Sequence, residues 1–146
     1  MPILTGAACV LRPLRIEDQA VTLPWRQDLE TVLGVMGYRL PVTSLGEQSW
    51  FDGALKDQSR GRVTMMIEAP DKTPVGLVHL VGVDWVSRVA EFGILIGDKG
   101  VRGKGVGRDA TKLMLEYGFR TLNLNRIWLR VTQGNAAAIR VYERLG

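Results

Sequence analysis

Gly103, Gly105 and Gly107 alternate with Lys104 and Val106 at a strand-to-helix junction, and that spacing suits an anion. Where side chains are missing, successive backbone N–H groups can turn inward together and form a nest for a phosphate. A helix starting near Gly107 adds its unpaired N-terminal donors and roughly half a positive charge, which favours a diphosphate lying across the turn. Arg102 and Lys104 bring further charge to the rim. A ligand-free glycine turn is the plain alternative. A Walker-type loop needs Lys followed by Ser or Thr after its last glycine, whereas Arg108 and Asp109 follow Gly107. The run Gly105-Val106-Gly107-Arg108-Asp109-Ala110 does match the dinucleotide pattern G-x-G-x-x-A, and Arg130 is placed to hold a 2′-phosphate. Too few residues follow Gly105 to complete a dinucleotide fold, however, and the strands before it read as antiparallel.

Other reactive side chains are few. His79 is the sole histidine and lies in an apolar strand, where a structural, hydrogen-bonded role competes with that of a base. Cys9 is the sole cysteine and reads as a buried, inert thiol in the apolar stretch Ala7 to Leu11. One histidine and one cysteine argue against a zinc centre or a Cys-His pair, so no metal is expected.

The elements that must position these residues follow from periodicity. Alternation over Ala8 to Leu14 predicts a first strand ending at Pro13, and Ile16 to Val35 reads as helical but broken at Pro24. Ser44 with Glu47 resembles a capping box and opens a helix to about Asp57. Three strands follow, Arg62 to Ala69, Val75 to Asp84 and Val89 to Gly97, as an antiparallel meander. Ala110, Leu113, Met114 and Tyr117 carry helical spacing, Arg126 to Thr132 returns to strand, and Ala138, Val141, Tyr142 and Leu145 are helical again. The strand-helix-strand unit implies that Val89 to Gly97 runs parallel to Arg126 to Thr132.

With 146 residues, 46% hydrophobic and 23% charged, the chain fits a single globular domain, 1–146. A net charge of +4 with scattered Lys and Arg gives no nucleic-acid signature, and no apolar run is long enough to span a membrane. Without a signal-peptide layout at the N-terminus, a cytoplasmic location is expected.

Together these residues resemble the GNAT superfamily of acetyl-CoA dependent N-acetyltransferases. Its R/Q-x-x-G-x-G/A hallmark stands as Arg102-Gly103-Lys104-Gly105-Val106-Gly107 after the strand Phe92 to Lys99, and a second block runs from Asn135 to Gly146. The match covers the chain from Val75 onward, and within the superfamily it is most similar to the branch of diamine, ribosomal-protein N-terminal and some antibiotic acetyltransferases. The resemblance implies a mixed α/β (α+β) fold, mostly antiparallel, flanked by helices, with a splayed parallel pair at the cofactor site. It implies transfer of acetyl from acetyl-CoA (coenzyme A) to a primary amine of a small molecule or peptide by direct attack in a ternary complex. A non-catalytic coenzyme A-binding module is the alternative, and a homodimer is compatible with either.

By the same resemblance, Ile94, Leu95 and Ile96 would pair with the pantetheine arm, an N–H near Leu95 or Ile96 would stabilise the oxyanion, and Arg102 to Gly107 would hold the diphosphate. Asn135 would bind the pantetheine arm and Tyr142 would protonate the departing thiolate. An attacking amine of pKa about 10 must lose a proton. Glu91, on the same side of its strand as Gly93 and Leu95, is the preferred base, with an ion-paired strand carboxylate as its alternative. The acceptor pocket is expected over Leu23 to Thr43, lined by Trp25, Tyr38 and Trp50. The chain departs from the family where some members carry a base glutamate, for it has Arg130 there. It also stops at Gly146, ahead of the final strands the family adds.

Overall fold

The computed structural model describes residues 3–33, 41–56 and 61–146. Among these residues six strands form one sheet in sequence order: β1 (Leu4–Thr5), β2 (Val10–Pro13), β3 (Arg62–Glu68), β4 (Pro74–Asp84), β5 (Val89–Ile96) and β6 (Arg126–Trp128). Every neighbouring pair is antiparallel except β5 and β6, which are parallel. The helices are α1 (Gln19–Gln27), α2 (Leu29–Leu33), α3 (Ser44–Lys56), α4 (Val106–Glu116) and α5 (Ala136–Leu145).

Strand alternation sorts the core into two layers. Leu11, Val63, Met65, Ile67, Val78, Leu80 and Phe92 point to one side and pack with Val106, Ala110 and Met114 of α4. Met66, Leu77 and Leu95 point to the other side and pack with Phe51 and Ala54 of α3 and with Trp25 of α1. The sheet is therefore covered on both faces, by α4 and α5 on one and α1 to α3 on the other.

The meander falls where the alternation places it, and the parallel pair is present. Four details differ from the sequence reading. First, Pro24 does not break its helix but sits inside α1. Proline removes only its own amide from the ladder. The Asp28 amide still closes on the Pro24 and Trp25 carbonyls, at 3.1 and 3.3 Å, and the buried Thr22 and Arg26 dock the helix, so the chain leaves it at the extended Asp28. Second, the first strand is shorter, Val10–Pro13, and gains a partner in Leu4–Thr5. Third, only Arg126–Trp128 of the last extended segment pairs with β5. Fourth, α4 continues into a π turn, Tyr117–Thr121, where Gly118 admits Ile127 so closely that a Cβ there would collide with it.

Candidate active site

The end of β5 and the start of α4 meet at the glycine-rich segment. Gly103 (φ 79°) and Gly105 (φ 82°) both adopt the left-handed conformation, and a Cβ on either would meet no atom within 4 Å. Backbone geometry rather than packing calls for glycine there. Gly105 caps α4, whose first internal bond runs from the Asp109 amide to the Gly105 carbonyl at 3.0 Å. The amides of Gly105, Val106, Gly107 and Arg108 thus find no acceptor among the described residues, as expected for the first turn of a helix. Asp109 steadies this end, its carboxylate accepting from the Ala8 and Cys9 amides at 2.8 and 3.1 Å. Gly6 must lack a side chain for that carboxylate to fit. Burial, with the neighbouring Asp109, pushes the Cys9 thiol up to about 12, which keeps it protonated and unreactive.

The second component is an open strand edge. Pairing of β5 with β6 stops at Glu91 and Trp128, while β5 runs on to Ile96. The Gly97 amide donates to the Val75 carbonyl at 2.9 Å, so with the regular β4–β5 register the odd-numbered residues of β5 turn their backbone groups to β4. Phe92 turns its backbone groups to β6, and Ile94 and Ile96 turn theirs into the gap that opens between β5 and the chain beyond β6. Leu95 is directed to β4, its carbonyl against Gly76, and its side chain enters the α3 layer. Arg102 stands at the far end of the gap and donates to the Ile96 carbonyl at 3.1 Å. Lys104 is exposed at the rim and forms no ion pair among the described residues.

Tyr142 and Glu91 flank the root of this gap from opposite faces. The Tyr142 ring meets Phe92 edge-on, centroids 6.2 Å apart, and burial raises its phenol above the ordinary value of 10. Glu91 lies on the other face, held by Arg130 at 2.8 Å. Arg130 therefore occupies, as an ion-pair partner, the neighbourhood in which it stood out in the sequence. Asn135 caps α5, its side-chain oxygen accepting from the Ala138 amide at 3.2 Å and its NH2 finding no acceptor among the described residues. His79 lies across Gly93, where a Cβ would overlap its Nε2. Burial first, and then Arg62 and Arg26, lower the His79 pKa to about 4, so the ring is neutral at pH 7.

Of the expected pocket residues, Trp25 stacks on Gly97 and Trp50 carries the Arg26 guanidinium over its ring at 3.9 Å, while Tyr38 lies outside the described residues. Sequence reading did not find Glu30 and Thr31 of α2, which reach Arg102 at 3.4 and 3.3 Å, or Lys99, which reaches Glu30 at 2.8 Å. Partners about seventy positions apart leave no periodic signal. Among the described residues no three His, Cys, Asp or Glu side chains cluster as a metal site, and no helix is long and apolar enough to cross a membrane.

Coenzyme A fits what these residues offer. Orphaned amides and empty space at two left-handed glycines suit a diphosphate, and the unpaired edge at Ile94 and Ile96 suits an amide-bearing arm.

Comparison with known proteins agrees with that chemistry. Residues 9–146 match the model of the acetyltransferase (GNAT) domain. The chain is 38% identical over 139 residues to spermidine N(1)-acetyltransferase of Escherichia coli K12, spanning 93% of this chain and 70% of that protein. It is 36% identical over 76 residues to a putative ribosomal N-acetyltransferase of Bacillus subtilis, 52% of this chain and 41% of that one. Its fold superposes on spermidine N-acetyltransferase from Vibrio cholerae, solved with CoA and spermine. The TM-score is 0.84 at 26% identity, over 94% of this chain and 79% of the other.

Proposed function

This chain belongs to the GNAT acetyltransferases, which move acetyl from acetyl-CoA to a primary amine, and from that premise we propose how its own residues do so and on what acceptor. The acceptor is a small molecule or a peptide bearing a free amine, attacking directly in a ternary complex. Spermidine and spermine, the amines in the names of the relatives, are the first to try.

The observation that carries the reading is the conjunction of a free helix N-terminus with an unpaired strand edge ten residues earlier in the chain. Amides from Gly105 to Arg108, with the Arg102 and Lys104 side chains, hold the diphosphate by charge-assisted hydrogen bonds. Ile94 and Ile96 pair with the pantetheine amides as a neighbouring strand would, and the Asn135 NH2 adds a donor from the α5 side. Acetyl-CoA supplies a thioester, an acyl group already activated toward amines.

Around that acyl group the chain provides three functions. The Ile94 N–H, turned into the gap nearer to Glu91 and Tyr142, donates to the acyl oxygen as negative charge develops there. Glu91 Oε1 or Oε2, directly or through water, takes the proton of the incoming ammonium; the Arg130 contact orients the carboxylate. Tyr142, like any phenol, carries its proton at neutral pH, burial holding it there more firmly, and placed beside the leaving sulfur it delivers that proton from Oη. Base and acid lie on opposite faces of β5, so the amine enters from the α1 to α3 side and the thiol leaves on the α5 side.

The test is release of free thiol on a panel of polyamines, amino acids, aminoglycosides and short peptides, with the wild type beside Tyr142→Phe. Loss of the phenol is expected to lower kcat about 100-fold on the active amine while acetyl-CoA still binds. Equal turnover by the variant sinks Tyr142 as the acid. Binding without turnover on any amine favours the non-catalytic module.

A further inference from the structure

Arg102 makes three kinds of contact at once. Its guanidinium donates to the Ile96 carbonyl at 3.1 Å, to Thr31 Oγ1 at 3.3 Å and to Glu30 Oε1 at 3.4 Å. The first of these lies on the strand edge assigned above to the pantetheine arm, and the other two lie on α2. Lys99, three residues earlier, reinforces the tie through Glu30 at 2.8 Å and Asp28 at 3.2 Å. A single five-residue helix is thus pinned to the cofactor segment by the cations that precede the glycines, while Trp25 of α1 packs on Gly97 next to them.

One guanidinium cannot serve the Ile96 carbonyl, the Glu30 carboxylate and a diphosphate together with full strength. Its five N–H donors lie in one plane and aim at one carboxylate-sized or phosphate-sized partner per edge. We infer that Glu30 and Thr31 are positioning residues that park Arg102 over the Ile96 carbonyl, and that acetyl-CoA must draw Arg102 off both, releasing α2. Cofactor occupancy is thereby communicated to the segment assigned to the acceptor, by exchange of partners at one side chain. This rests on reading Arg102 as a ligand of the diphosphate.

Because Glu30 is solvent-exposed, the competition it offers is modest, in keeping with surface ion pairs. Replacing it, Glu30→Gln, leaves the hydrogen-bonding shape and removes the charge. Calorimetry is expected to show coenzyme A binding about twofold to fivefold tighter in the variant, with KM for acetyl-CoA lowered by the same factor and kcat within twofold. Hydrogen exchange supplies a readout that a purely structural role would not move. In the wild type, adding coenzyme A should speed amide exchange in residues 29–33, and in Glu30→Gln that acceleration should be smaller, because the charged tie from Glu30 is already lost while those through Thr31 and Asp28 remain.

Unchanged or weaker coenzyme A binding by Glu30→Gln, or slower exchange of α2 on binding in the wild type, overturns the coupling and leaves the acetyltransferase reading standing. No coenzyme A binding by the wild type overturns both.

Discussion

His79 shows how much a single environment decides. A histidine has the ordinary pKa for a base at neutral pH, yet burial and two arginines hold this one near 4. The folded protein therefore prefers the neutral ring, whereas the unfolded chain takes up a proton near the ordinary value of 6.5. The neutral ring's contribution to stability is fully present above that value and is lost as pH falls from about 6.5 toward 4. Urea unfolding of the wild type and His79→Gln at pH 7 and pH 4.5 checks this. The wild type should lose more stability than the variant over that interval, and parallel losses would place the protonation elsewhere. The same neutrality leaves Glu91 as the carboxylate beside the gap and His79 as a filler over Gly93. Arg12, a buried cation, shows the opposite solution: it keeps its charge by pairing with Asp18 at 2.9 Å and Glu68 at 2.6 Å.

At the scale of elements, the decisive unit is the turn from β5 into α4. Its glycines matter for backbone conformation, since a side chain on Gly105 would meet only open space. Gly105→Ala is accordingly expected to cost about 1 to 2 kcal/mol of stability through its left-handed φ and to raise KM for acetyl-CoA more than it lowers kcat. Unfolding curves and initial rates measure the two effects separately; unchanged acetyl-CoA affinity would show that the amides here do not hold the diphosphate. This turn was legible in the sequence because glycine spacing and helical periodicity are local signals. So were the meander and both C-terminal helices, whose apolar faces repeat as the core requires. Pro24 misled because the packing of Thr22 and Arg26 outweighs one missing amide, a tertiary effect that no local pattern contains. Glu30, Thr31 and Asp109 were silent for the same reason, each meeting its partner across the fold.

For the whole molecule, two faces of one sheet divide the labour. The α4 and α5 face presents the helix N-terminus and Tyr142, and the opposite face presents Glu91, His79 and Trp25, with the β5 edge exposed between them where β6 diverges. Topology explains why: a parallel strand pair connected through α4 leaves the ends of its strands beside the helix start, where ligands of open α/β sheets collect. The most direct test of this arrangement is calorimetric titration of the wild type with acetyl-CoA and with acetyl-pantetheine, which keeps the thioester and its amides but lacks the diphosphate. Saturable binding of acetyl-CoA is expected, at least about tenfold tighter than acetyl-pantetheine, the factor that one hydrogen bond to a charged group supplies. Equal affinity for the two, or binding of a nicotinamide dinucleotide with no response to acetyl-CoA, would contradict it.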